Sequence, residues 1–291
     1  DEVIVPAMTA AYTALAVLAA GATPVIVDVD AETLTMDPAA CRAAVTSRTR
    51  AVVPVHLYGQ AARMDEILAI AERHGLAVVE ACCQAHLSTY AGAPVGARAT
   101  AGAFSFYPTK NLGALGDGGA VITKDASLAA RVKRLRNGGQ TERYRHLEAG
   151  VNSRLDEIQA AVLRARLPYL AGWTMRRREI AALYRRLLPA TLQTIHQRDD
   201  GHVYHLFPVR STERDALQAH LAAHGVETLI HYPVPLHEQP ALARYASHPC
   251  QEAARAGREL LSLPNHPQLA DADAARVADA VGAFERGRVP A

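Results

Sequence analysis

No stretch of the chain holds the roughly 18 apolar residues that a helix needs to cross a bilayer, and no basic-then-apolar signal peptide opens it. The expectation is a cytoplasmic protein with no membrane partner. Neither sign of charge is in clear excess. Against 29 Asp and Glu stand 31 Lys and Arg, and the formal +2 is too small to argue for nucleic acid. The densest basic run, Arg176-Arg177-Arg178, continues in a helical pattern to Arg185 and Arg186 and is expected to be a solvated helix face. Four cysteines show no Cys-x-x-Cys spacing, and Cys82 and Cys83 on a strand would point to opposite faces. Buried thiols are expected, and no metal. Low-complexity tracts, internal repeats and flexible linkers are missing as well. There is no initiator methionine: the chain opens on the strand candidate Val3-Ile4-Val5, so it is expected to begin inside a domain.

What is present is 49% apolar residue content over 291 residues, enough for a large domain and a smaller one. Short β-branched runs at Val25-Ile26-Val27, Ala51-Val52-Val53 and Ala77-Val78-Val79-Glu80 alternate with helical patterns over about residues 9–20, 37–46 and 64–74. The last of these helices should close on Gly75. Repeated strand-helix-strand units imply a mostly parallel sheet with helices on both faces. Two more strand candidates, Ala103 to Phe106 and Ala120 to Thr123, bracket a glycine-rich loop. Residues 154–188 read as helix with a break at Pro168. Beyond them come a strand (Val203 to Arg210), a helix (Glu213 to His224), a short strand (Glu227 to Ile230) and two helices. The expected division is 1–165 for the large domain, and 166–291 for a connecting helix and a small α+β domain.

The loop carries Lys110 directly after an apolar strand, where ligands of such sheets collect. A lysine in a partly dry site has its pKa lowered, and only a neutral amine attacks an aldehyde, so Lys110 is a candidate Schiff-base lysine. Gly113, Gly116, Gly118 and Gly119 do not form a dinucleotide fingerprint, because they lead into a strand and not a helix.

The segments Asp1 to Pro6, Gly21 to Val25, Asp28-Val29-Asp30, Pro54 to Gln60, Gln84-Ala85-His86, Ser105 to Gly119, Gly150 to Leu155 and His231-Tyr232-Pro233 together resemble the DegT/DnrJ/EryC1/StrS family of sugar aminotransferases, nearly end to end. The resemblance implies a fold-type I transferase dependent on pyridoxal 5'-phosphate, an α/β fold with a smaller C-terminal α+β lobe. It implies transfer of an amino group from glutamate to a keto group of a nucleotide-linked sugar, by a homodimer. By the same resemblance Lys110 would hold the cofactor and shuttle the substrate proton. Ser105 would bond the cofactor phosphate, Gln84 would sit near the ring hydroxyl, and Asn152 would reach the neighbouring subunit's phosphate. His231 and Tyr232 would lie near the substrate.

Three departures qualify that picture. Where the family has the aspartate that bonds the pyridine nitrogen, this chain has Ala81, and Glu80 should face the other side of the strand. Ala10 stands where relatives often carry an aromatic residue over the cofactor ring, with Tyr12 nearby. The family's opening, phosphate-holding segment is not in the sequence. These departures motivate a second reading, an impaired member serving as a binding or dimer partner. A dehydratase of the same fold would replace the lysine, and Lys110 is intact.

Overall fold

The computed structural model describes residues 1–288. The chain begins β1 (Glu2–Pro6), α1 (Tyr12–Ala19), β2 (Thr23–Val27), α2 (Pro38–Ala43), β3 (Thr49–Val52), α3 (Met64–His74) and β4 (Ala77–Ala81). A hairpin of β5 (Thr89–Tyr90) and β6 (Ala93–Pro94) precedes β7 (Ala101–Ser105), β8 (Gly119–Ile122) and α4 (Ala126–Leu135). A second hairpin, β9 (Gln140–Glu142) with β10 (Arg145–His146), leads to α5 (Glu157–Arg166) and α6 (Leu170–Leu187). The remainder is β11 (Gln193–Thr194), β12 (Phe207–Arg210), α7 (Arg214–Ala223), α8 (Gln251–Glu259), β13 (Leu260–Leu263) and α9 (Asp271–Arg288).

Six strands form the main sheet in the order β2-β1-β3-β4-β7-β8. All neighbours are parallel except β8, which runs antiparallel to β7. Alternation along a strand sends successive side chains to opposite faces, and β1 shows what that does for packing. Ile4 joins one apolar cluster with Val25, Val52, Val78, Met64 and Ile67, under α2 and α3. Its neighbour Val5 joins another with Ile26, Ala14, Val17, Ala253 and Ala256, under α1 and α8. Both are fully buried, so β1 reads as a continuous apolar run. A second, antiparallel sheet, β11-β12-β13, packs with α6, α7 and α9 around a third core that includes Ile180, Phe207, Leu217, Leu261 and Val277. This is the doubly wound α/β architecture with a smaller antiparallel sheet that the sequence pattern implied.

Local chemistry explains the boundaries. Asp37 caps α2 by accepting from the Ala39 and Ala40 N–H groups, with Pro38 pre-set at the first helical position. Asp65 and Glu66 open α3 and Arg73 and His74 close it, matching the helix dipole, and Gly75 terminates it at φ +64°. Pro168 marks the break between α5 and α6 as a short 3-10 turn at Leu167–Tyr169.

Several expectations are corrected. Arg177 is buried, not solvated: its Nη1 donates to the carbonyls of Tyr204 (3.3 Å), His205 (3.2 Å) and Asn265. Residues 203–206 are not strand; only Phe207–Arg210 pairs, while Tyr204 takes φ +45°. The strand expected at Glu227 to Ile230 is reduced to one bridge, Leu229 with Ser262. Conversely, β13 lies between the two C-terminal helices, where no strand was expected. No helix among the described residues is long and apolar enough to cross a membrane.

Candidate active site

The C-terminal ends of β3, β4 and β7 converge, as ligand-binding edges of parallel sheets do. β4 delivers Glu80 and Ala81 back to back. Glu80 is fully buried on the side of the first core. It accepts from His56 Nε2 (3.1 Å) and from the N–H groups of Gly96 (2.8 Å), Arg98 (3.0 Å) and Ala99 (3.1 Å). His56 Nδ1 accepts from Ala62 N–H at 3.0 Å, so the proton sits on Nε2 and the pair is closed by hydrogen bonds. Cys82 lies near this pair. The cluster already satisfies its own polar groups, and Glu80 has no capacity left to serve the opposite face. Burial alone would raise the Glu80 carboxyl, but the His56 hydrogen bond and the backbone donors outweigh it and hold its pKa below the ordinary value.

Ala81 packs on the other face, against the cluster that contains Tyr58 and borders Tyr232. It contributes only a methyl group there. Cys82 and Cys83 lie past the strand end and not on the strand that was expected to hold them: Cys82 is buried in the first core, and Cys83 is half-buried within electrostatic reach of Lys110. Gln84 is buried, with Oε1 accepting from Tyr58 N–H and Nε2 donating to the Tyr232 hydroxyl at 3.0 Å. Tyr58 in turn donates its hydroxyl proton to the His231 carbonyl, and His231 Nδ1 meets Ser262 Oγ at 2.9 Å. Three places far apart in the sequence, Tyr58, Gln84 and the adjacent pair His231-Tyr232, are thereby tied into one network.

β7 delivers Ser105, whose Oγ accepts from Tyr107 N–H at 3.2 Å, and then the turn carrying Lys110, closed by Lys110 N–H donating to Tyr107 O at 2.8 Å. Lys110 is half-buried. Desolvation lowers its pKa, with the nearby Cys83 thiol opposing. His86, His205 and His231 lie within its electrostatic reach. Burial, with Lys110's charge in second place, keeps all three neutral, His86 down to about 4. The arrangement is an amine ringed by neutral groups, suited to nucleophilic attack on a carbonyl carbon.

Two expected residues stand apart. Asn152 is exposed and bridges to Asn137 through backbone, and among the described residues no hydrogen bond ties it to the Lys110 group. Tyr12 is 80% exposed and so packs against little of the chain. The sequence reading did not single out His205 or Asn111, and it took Arg177 for a solvated charge. The signal available was two histidines at an apolar run, His202 just before the expected strand and His205 within it.

The family model for DegT/DnrJ/EryC1/StrS aminotransferases matches residues 1–282. The chain belongs to this aminotransferase family. It is 50% identical over 287 residues to a dTDP-3-amino-3,4,6-trideoxy-alpha-D-glucose transaminase of Streptomyces venezuelae, covering 97% of this chain and 76% of that protein. Among solved structures, this family member superposes on S. venezuelae DesV with a TM-score of 0.96 at 48% identity, over all of this chain and 79% of the other. A Bacillus subtilis structure, NtdA with bound cofactor PMP, matches with a TM-score of 0.90 at 31% identity, covering 98% and 68%. The chain is therefore an enzyme of the aminotransferase class, with the fold of its relatives.

Proposed function

We propose that this aminotransferase moves an amino group from glutamate to the keto group of a nucleotide-linked sugar, using pyridoxal 5'-phosphate held by Lys110. The observation that carries the reading is Lys110 itself, a half-buried amine at the strand-end turn with its pKa lowered by desolvation. The dTDP-sugar transaminase of S. venezuelae supports the substrate class, and the PMP-bound B. subtilis structure supports the cofactor.

The residues present fit such a cofactor on its aldehyde and hydroxyl sides and leave its ring nitrogen without an acid. Lys110 would bind the aldehyde carbon, Gln84 would lie at the hydroxyl and Ser105 at the phosphate, and Ala81 would meet the nitrogen side. When bound, the cofactor supplies a conjugated ring that spreads the charge left by a departing proton. Lys110 would supply the base, its neutral Nζ taking a proton from one carbon of the substrate and returning it at another. Tyr232 receives a hydrogen bond from Gln84 and keeps its own proton to donate toward a substrate oxygen, with His231 held beside it by Tyr58. Residues 1–165 form the cofactor-binding domain in this reading and 166–291 the connecting helix and small domain. Asn152, exposed and uncommitted, completes a partner's phosphate site in a homodimer.

The test is borohydride reduction of the chain mixed with pyridoxal 5'-phosphate, followed by peptide mass mapping. Label should fall on Lys110. Label confined to Lys124 or Lys133 overturns the assignment.

A further inference from the structure

We propose that His205 is a positioning residue for Lys110, acting through the side chain of Asn111. The inference rests on the reading of Lys110 as the reactive amine, and deepens it. Its starting point is a chain of hydrogen bonds whose polarity can be read from end to end. Asn111 Nδ2 donates to the Val203 carbonyl at 3.3 Å, which turns Oδ1 toward His205 Nδ1, 3.0 Å away. An amide oxygen only accepts, so Nδ1 carries the proton and Nε2 keeps its lone pair. Asn111 and His205 are both buried, and a second proton on the ring would place a cation beside Lys110 and Arg177. His205 is thus a fixed, neutral donor.

The donor is also immobile. Val203 N–H donates to Gly59 O at 3.0 Å, Leu206 N–H to Tyr58 O at 3.4 Å, and Arg177 holds the carbonyls of Tyr204 and His205. Tyr204, between them, sits at φ +45°, a left-handed conformation that a bulky residue keeps only where its surroundings over-determine it. A β-carbon on Gly59 would come within 2.8 Å of Val203 Cγ2 and 2.9 Å of His205 N, so the two segments approach as closely as glycine allows. Such a framework exceeds what packing one histidine requires. It anchors the residue that follows Lys110 in the chain, and hence the turn that sets how far the amine reaches out of water.

Removing the donor leaves Asn111 Oδ1 unpaired in a dry site, loosens the turn and admits water to Lys110. The groups facing the amine are Cys83, which favours its protonated form, and the neutral His86, His205 and His231. With desolvation relieved, the amine moves back toward an ordinary lysine.

Competitive acetylation of the chain with trace acetic anhydride over a pH series, read by peptide mass and normalised to Lys124 and Lys133, measures this without cofactor or turnover. The unaltered chain should show Lys110 titrating below the ordinary lysine value of about 10.4. His205→Phe and Asn111→Ala should each raise that midpoint by about one pH unit, which lowers labelling near neutral pH roughly tenfold. His205→Asn, which can still donate toward Asn111, should recover most of the loss. A folded His205→Phe with an unmoved Lys110 midpoint overturns the proposal, as does His205→Asn behaving like His205→Phe. Should His205→Phe not fold, Asn111→Ala carries the same two outcomes. An ordinary midpoint in the unaltered chain would instead count against Lys110 as the reactive amine.

Discussion

Glu80 and Ala81 are adjacent in the chain and live in different chemistry, because a strand turns successive side chains to opposite faces. The carboxylate is committed to His56 and three backbone donors, so its folded pKa lies below the unfolded value of about 4.3. The stability it contributes is therefore present above that unfolded value, and is lost as pH falls through the folded one. Glu80→Gln should destabilise the chain by about 3 kcal/mol at neutral pH, the scale for breaking a buried charge network. The gap between variant and unaltered protein should narrow once the pH drops below about 4. Urea unfolding at several pH values checks this, and a gap that is constant with pH would show that the carboxylate charge is not what the site uses. That Glu80 turns away from the face that Ala81 occupies was legible from strand alternation alone. Its actual partners were not, since His56, Gly96 and Ala99 come together only through tertiary packing.

At the scale of elements, two glycines with positive φ separate backbone conformation from close approach. Gly75 ends α3 at φ +64°, and a β-carbon there would meet nothing within 4 Å. Gly75→Ala should lower stability by about 1 kcal/mol, the cost of placing an L-residue in the left-handed region. Gly59 takes φ +98° and adds the collision with Val203 and His205. Gly59→Ala should cost about 3 kcal/mol, strain and overpacking together, and should perturb the Lys110 turn as well. Thermal melts of the two variants, with Lys110 labelling as a second readout, distinguish them; equal losses would mean that the Gly59 contact is slack. The same contrast marks what the sequence could convey. The α3 boundaries and its glycine stop were readable because capping and amphipathic period are local. β13 was not, because Leu260-Leu261-Ser262-Leu263 is a short apolar run that periodicity cannot tell from helix, and α8 leads directly into it. Residues 203–206 misled for a related reason. Their apolar pattern suits a strand, but Arg177 and Gly59 take up the backbone groups that a ladder would need.

For the whole molecule, the distribution of exposed apolar side chains is uneven. Leu115, Val121, Val151, Ile158, Leu167 and Tyr169 are each at least half exposed, and none of the residues of α4 is buried. They come from the part of the chain between the Lys110 turn and the start of α6, which also carries the exposed Asn152. Single exposed apolar residues are ordinary, but so many from one stretch are what an association surface supplies. The reading of Asn152 as a contributor to a neighbour's phosphate site requires a homodimer, and that requirement and the exposed residues point to the same stretch. In a two-fold dimer each substitution acts twice, because the same patch is used by both copies. Ile158→Glu, on the exposed side of α5, should therefore shift the chain toward monomer in sedimentation velocity while leaving far-ultraviolet circular dichroism unchanged. If cofactor sites are shared, loss of the dimer should also weaken cofactor binding, since association and ligand then stabilise one another. A chain that sediments as a monomer at all concentrations, yet takes up pyridoxal 5'-phosphate at Lys110 tightly, would show that one copy completes its own site and would remove Asn152 from it.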